Sequence, residues 1–145
     1  MKKILLIHGP NLNLLGKRDH HHYGHLTLAQ LEKKVSEYAV RLGFEIKKFQ
    51  SNHEGDLIDW IQKNSSKSLG LIINPGALTH YSYALHDALL DAHIPCVEVH
   101  LSKVQNREPW RKISVTAAAC VAVISGKQEL GYFEALDYLK KHYQA

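Results

Sequence analysis

Three stretches of the chain concentrate side chains that can do chemistry. The first holds Gly9-Pro10-Asn11-Leu12-Asn13, then Arg18 and Tyr23-Gly24. The second holds Asn74-Pro75-Gly76-Ala77 and Thr79-His80. The third runs Glu98-Val99-His100-Leu101-Ser102, followed by Arg107 and Arg111. Histidine and tyrosine move protons, asparagine donates and accepts hydrogen bonds, and arginine holds anions without losing its own charge. A structural protein has no use for such a collection. Arg18, Arg107 and Arg111 together suit a small anionic substrate. Nucleotide binding is poorly supported. There is no G-x-G-x-x-G, and Gly9 to Gly16-Lys17-Arg18 resembles a phosphate loop only loosely, with the wrong spacing and no Ser or Thr after the lysine. The run His20-His21-His22 with His25 invites Zn²⁺ or Ni²⁺. Adjacent histidines point in different directions, and no cysteine or carboxylate pattern completes a closed site, so no functional metal is expected.

These stretches must be held by regular elements, and the elements alternate. Residues 3–8 form a short apolar run that reads as a buried strand. Thr27-Leu28-Ala29-Gln30 fits a capping box, and Leu28, Leu31, Val35, Tyr38, Ala39 and Leu42 follow at helical spacing, with Gly43 ending the helix. Residues 44–50 read as a strand near a sheet edge. Leu57, Ile58, Trp60 and Ile61 indicate a short helix to about Ser65. Leu69 to Asn74 is the third strand, broken by Pro75-Gly76. Residues 82–92 read as a helix with Ala84, Leu85, Ala88 and Leu89 inward, and Pro95 to His100 as the fourth strand. Residues 117–125 are small and β-branched, the expected fifth strand. Glu129 to Tyr143 is the last helix, with Leu130, Phe133, Leu136, Tyr138 and Leu139 as its apolar positions. Alternating strands and helices with continuous apolar strands argue for a parallel α/β sheet covered on both faces. Five strands favour the flavodoxin-like order 2-1-3-4-5, which puts a ligand beyond the carboxyl ends of strands 1 and 3, where these loops lie.

Composition agrees. The 145 residues, 45% hydrophobic and 22% charged, fit one globular domain spanning residues 1–145, with no linker or repeat. No apolar run approaches the roughly 18 residues of a membrane span, and the apolar start at Ile4–Ile7 is too short for a signal peptide. Cys96 and Cys120 fall in apolar, strand-like stretches and read as buried thiols. A cytoplasmic protein is expected. The net charge is +4, but the basic residues sit in pairs on outer faces without interleaved aromatics, which argues against nucleic-acid binding.

The residues also carry a resemblance. His-Gly-Pro-Asn-Leu-Asn-Leu-Leu-Gly (8–16) with Arg18 and Tyr23-Gly24, Gln-Ser-Asn-His-Glu-Gly (50–55), Ile-Ile-Asn-Pro-Gly-Ala-Leu-Thr-His-Tyr-Ser (72–82), Asp87-Ala88-Leu89, Glu-Val-His-Leu-Ser (98–102) and Arg107-Glu108 resemble type II 3-dehydroquinate dehydratase, in order and along essentially the whole chain. The resemblance implies a flavodoxin-like, typically dodecameric lyase of the shikimate pathway and aromatic amino acid biosynthesis. It would dehydrate 3-dehydroquinate to 3-dehydroshikimate through an enolate, without a cofactor. It makes Tyr23 the base, with Arg18 and Arg107 lowering its proton affinity. It makes His100 the general acid, and Glu98, two residues away on the same side of the strand, would favour the protonated ring. Asn11 would hold a water, or donate directly, where the enolate oxygen develops charge. Asn74, the Leu101 and Ser102 amides and the Ser102 hydroxyl would hold the carboxylate. His80 and Arg111 would bind ring hydroxyls, Gly76 would allow close backbone approach, and Asp87 would reach a neighbouring subunit's site. His53 and Glu54 read as structural or interface residues. Two segments depart from the family: Asp19-His20-His21-His22, where a proline is usual, and Lys127-Gln128-Glu129, where glycine is. The rival from another class is a non-catalytic flavodoxin-like module that binds a small anion.

Overall fold

A computed structural model describes residues 1–18, 24–103 and 108–144. Five strands, β1 (Lys2–His8), β2 (Phe44–Gln50), β3 (Gly70–Asn74), β4 (Cys96–His100) and β5 (Ala122–Ser125), form one sheet. Its order is β2-β1-β3-β4-β5, as expected for a flavodoxin-like fold, and every pairing is parallel. Among the described residues four α-helices cover it: α1 (Leu28–Arg41), α2 (Glu54–Asn64), α3 (Tyr83–Asp91) and α4 (Leu130–Gln144).

Strands buried on both faces need apolar residues at successive positions. Ile4, Leu6, Ile72, Val97 and Val99 face one side and pack with Leu31 and Val35 of α1 and Tyr132, Leu136 and Leu139 of α4. Leu5, Ile7, Leu71, Ile73 and Cys96 face the other and meet Leu57 and Ile61 of α2 and Leu85 and Leu89 of α3. The α1 start is the expected capping box: the Gln30 N–H donates to Thr27 Oγ1 at 3.2 Å, and the Thr27 N–H to Gln30 Oε1 at 3.0 Å. No described helix is long and apolar enough to cross a membrane.

Three expectations are corrected. The fifth strand is only Ala122–Ser125, because Ala117–Ala119, a run of good helix formers, winds into a 3-10 turn. Cys120 therefore lies outside the strand and is only partly buried. On α4 the buried stripe is Tyr132, Ala135, Leu136 and Leu139, at spacings of three, one and three, which leaves Leu130 and Tyr138 exposed. On α3 the inward face is Leu85, Ala88 and Leu89, and Ala84 points outward.

Candidate active site

The carboxyl ends of β1 and β3 are locked by two reciprocal close approaches. Gly9 packs on Pro75 so tightly that a Cβ there would meet the Pro75 carbonyl oxygen at 2.2 Å. Gly76, at φ 61°, sits the same way on Pro10, whose oxygen would lie 2.9 Å from an added Cβ. The Gly9 N–H also donates to the Asn74 carbonyl at 2.8 Å. Both obstacles are backbone, so neither can rotate away. Gly9→Ala is expected to cost about 1–3 kcal/mol as an overpacked site. A thermal melt would read this as a lowered Tm, and an unchanged Tm would contradict the packing described.

Around this junction one cavity is lined by Asn11 and Arg18 from the first loop, Asn74, Gly76 and His80 from the second, and His100, Leu101, Ser102 and Arg111 from the third. Nine of the thirteen residues singled out from the sequence thus share one space. The Asn11 backbone is left-handed, at φ 71°. Its N–H donates to Asn52 Oδ1 at 2.9 Å, and Asn52 is itself held by Gln50 Nε2 at 3.2 Å. Asn74 Oδ1 accepts from the Gly76 N–H at 3.1 Å, which turns its amide nitrogen toward the Tyr132 hydroxyl at 3.5 Å. Burial pushes that phenol up to about 12, so Tyr132 is neutral.

Glu98 lies beneath the cavity, fully buried, and its Oε2 is 2.8 Å from His100 Nε2. The two alternate positions of β4 point the same way, which is why a spacing of two brings them together. Thr79, Ser114 and Thr116 also turn their hydroxyls on this carboxylate. Burial pushes the Glu98 carboxyl up, but the hydrogen bond and charge of His100, helped by Thr116 and Ser114, hold it below the usual glutamate value.

At the other wall, His80 Nδ1 is 2.6 Å from the Ile113 carbonyl oxygen. A carbonyl only accepts, so Nδ1 carries the proton and Nε2 keeps its lone pair. Burial holds the ring below the usual histidine value, although the Ile113 carbonyl acts the other way. Trp110 braces this wall. Its ring meets His80 edge-on at 5.2 Å, and the Arg111 guanidinium lies over it at 4.1 Å.

Not every expected residue meets the cavity. Tyr23 and Arg107 lie outside the described residues, as do Asp19 and His20 to His22. Asp87 does not line the cavity; its side chain is 74% exposed on α3 and pairs with His86 Nδ1 at 3.0 Å. The departing segment 127–129 is closer to the site than its sequence position indicated. Gln128 Oε1 would lie 2.9 Å from a Cβ on Gly24, and the Gln128 N–H donates to the Leu101 carbonyl at 3.2 Å. Glu54 accepts a hydrogen bond from the Ser82 hydroxyl. Among the described residues no group of three His, Cys, Asp or Glu could hold a metal ion.

The family model "Dehydroquinase class II" matches residues 2–140. The chain belongs to that family. It is 49% identical over 139 residues to the 3-dehydroquinate dehydratase of Thermotoga neapolitana, covering 96% of this chain and 94% of that one. It is 51% identical over 141 residues to the 3-dehydroquinate dehydratase of Clostridium perfringens, covering 97% of both. Two crystal structures of type II dehydroquinases superpose on it. That from Butyrivibrio crossotus has a TM-score of 0.92 at 46% identity, covering 95% of this chain and 97% of the other. That from Propionibacterium acnes has a TM-score of 0.93 at 36% identity, covering 97% of both.

Proposed function

We propose that this chain, a class II dehydroquinase and hence a hydro-lyase, converts 3-dehydroquinate to 3-dehydroshikimate in the shikimate pathway, as one catalytic domain without a cofactor. The observation that carries the reading is the His100–Glu98 pair at the floor of a cavity also lined by Arg18, Asn11 and Arg111. Elimination next to a ketone needs a base, a place for enolate charge and an acid for the departing hydroxyl.

Tyr23 takes the proton beside the ketone. A free tyrosine titrates near 10. The fixed charge of Arg18, with Arg107, makes the phenolate available at neutral pH. The carbon–hydrogen electron pair moves into the enolate, whose oxygen charge Asn11 meets directly or through a water. The enolate then re-forms the ketone, the carbon–oxygen bond of the adjacent hydroxyl breaks, and that oxygen leaves as water with the His100 proton. One proton passes back from phenol to imidazole through solvent before the next turnover. Asn74 and the Leu101–Ser102 segment hold the carboxylate. Arg111 and the lone pair of His80 Nε2 hold the ring hydroxyls, a role that suits the tautomer set by Ile113. Asp87, exposed and outside this cavity, serves a neighbouring subunit of a dodecamer.

This route is non-covalent. Incubation with 3-dehydroquinate, borohydride reduction and intact-mass measurement are expected to show product and an unmodified chain. A borohydride-trapped adduct on a lysine would overturn the mechanism.

A further inference from the structure

We infer that Thr116, supported by Ser114 and Thr79, is a positioning residue whose hydroxyl keeps the shared proton of the Glu98–His100 pair on the histidine. The inference rests on the proposed use of His100 as the acid. Three hydroxyls converge on one carboxylate that is fully buried. Thr116 Oγ1 donates to Glu98 Oε1 and Ser114 Oγ to Oε2 at 2.9 Å, while Thr79 Oγ1, 3.0 Å from Oε2, also lies 2.7 Å from the Thr116 hydroxyl and 2.8 Å from the Ser114 hydroxyl and ties the three together. Thr116 and Thr79 are themselves 0% and 1% exposed, so water does not compete for these bonds. The hydroxyls come from two separate segments joined by a backbone bond, the Val115 N–H donating to the Thr79 carbonyl at 2.7 Å. Within the second segment the Ala117 N–H donates to Ser114 Oγ at 3.0 Å.

The need for such a cradle follows from where the proton prefers to be. In water a histidine outcompetes a glutamic acid for a proton by about two pKa units. Burial opposes that advantage, because proton transfer from imidazolium to carboxylate replaces two desolvated charges with two neutral groups. Donated hydroxyl protons favour the carboxylate and so return the proton to His100. Other titratable groups around the pair, among the described residues, do not take this part. His80, on the turn after β3, is held below the usual histidine value chiefly by burial, with smaller contributions from His100 and Arg111. Cys96 on β4 and Cys120 after the Ala117–Ala119 turn are both pushed up by burial and stay neutral thiols.

Thr116→Val keeps the shape and removes the hydroxyl, and Thr116→Ser keeps the hydroxyl. The readout is the ¹⁵N shift of the His100 ring in histidine-labelled protein, followed across pH in wild type and variants. Thr116→Val is expected to move the proton population toward Glu98 by roughly tenfold, the effect of one hydrogen bond to a charged group, and Thr116→Ser to restore the wild-type shift. Turnover should follow the protonated fraction of His100, with kcat lowered by up to about tenfold and KM unchanged. Ser114→Ala removes a different hydroxyl and should move the proton the same way, which keeps the test open if Thr116→Val does not fold. A His100 ring as fully protonated in the folded variants as in wild type would overturn the inference. Absence of turnover in the wild-type protein would instead refute the functional reading, and the ¹⁵N measurement would still decide this one.

Discussion

Tyr23→Phe is expected to lower kcat by about 10²–10⁴-fold, the usual contribution of a positioned general base. Phenylalanine keeps the ring and removes only the oxygen that would accept the proton. The variant should therefore keep the wild-type far-ultraviolet dichroism and still bind substrate. Uniform binding that survives while the chemical step fails appears as a loss in kcat with little change in KM. A Tyr23→Phe protein with near wild-type kcat would remove Tyr23 from the mechanism. An equal rise in KM would instead make it a binding residue.

His100→Gln should be comparably damaging, again by about 10²–10⁴-fold in kcat. The choice of glutamine matters. Breaking a buried charge pair by deleting one partner strands the other and is strongly destabilising. Glutamine offers an amide N–H to the Glu98 carboxylate, so the donor seen at 2.8 Å is retained in kind. It has no proton to give a departing hydroxyl. A folded His100→Gln enzyme with intact kcat would show that the acid is another group, and the hydroxyl cradle beneath Glu98 would then lose its catalytic meaning.

Much of the fold was legible because each local signal agreed with the sheet. β2 runs from Phe44 to Gln50, as its flanking Gly43 and Ser51 suggested. Thr27 and Gln30 announce α1 by a local mechanism that needs no tertiary help. Residues 117–125 misled because small and β-branched residues suit both a strand and the turn that Ala117–Ala119 adopt. Leu130 misled because it opens α4, ahead of the stripe that Tyr132 begins.

The cavity residues could be read because they end strands, or follow them in loops, that the topology gathers at one end of the sheet. What supports them could not. Asn52 reaches the Asn11 backbone across 41 residues, and Thr116 reaches Glu98 across 18. Neither spacing leaves a periodic trace. A threonine in an apolar run reads as an ordinary strand former. Trp110 stays exposed, and only the fold shows that its ring meets both His80 and Arg111.

The most direct test is turnover itself. Purified, folded protein mixed with 3-dehydroquinate should produce the ultraviolet absorbance of a conjugated enone, growing in proportion to enzyme concentration and without added metal or nucleotide. Folded protein that binds 3-dehydroquinate but produces no enone absorbance would contradict the account and leave the chain a small-anion binding module.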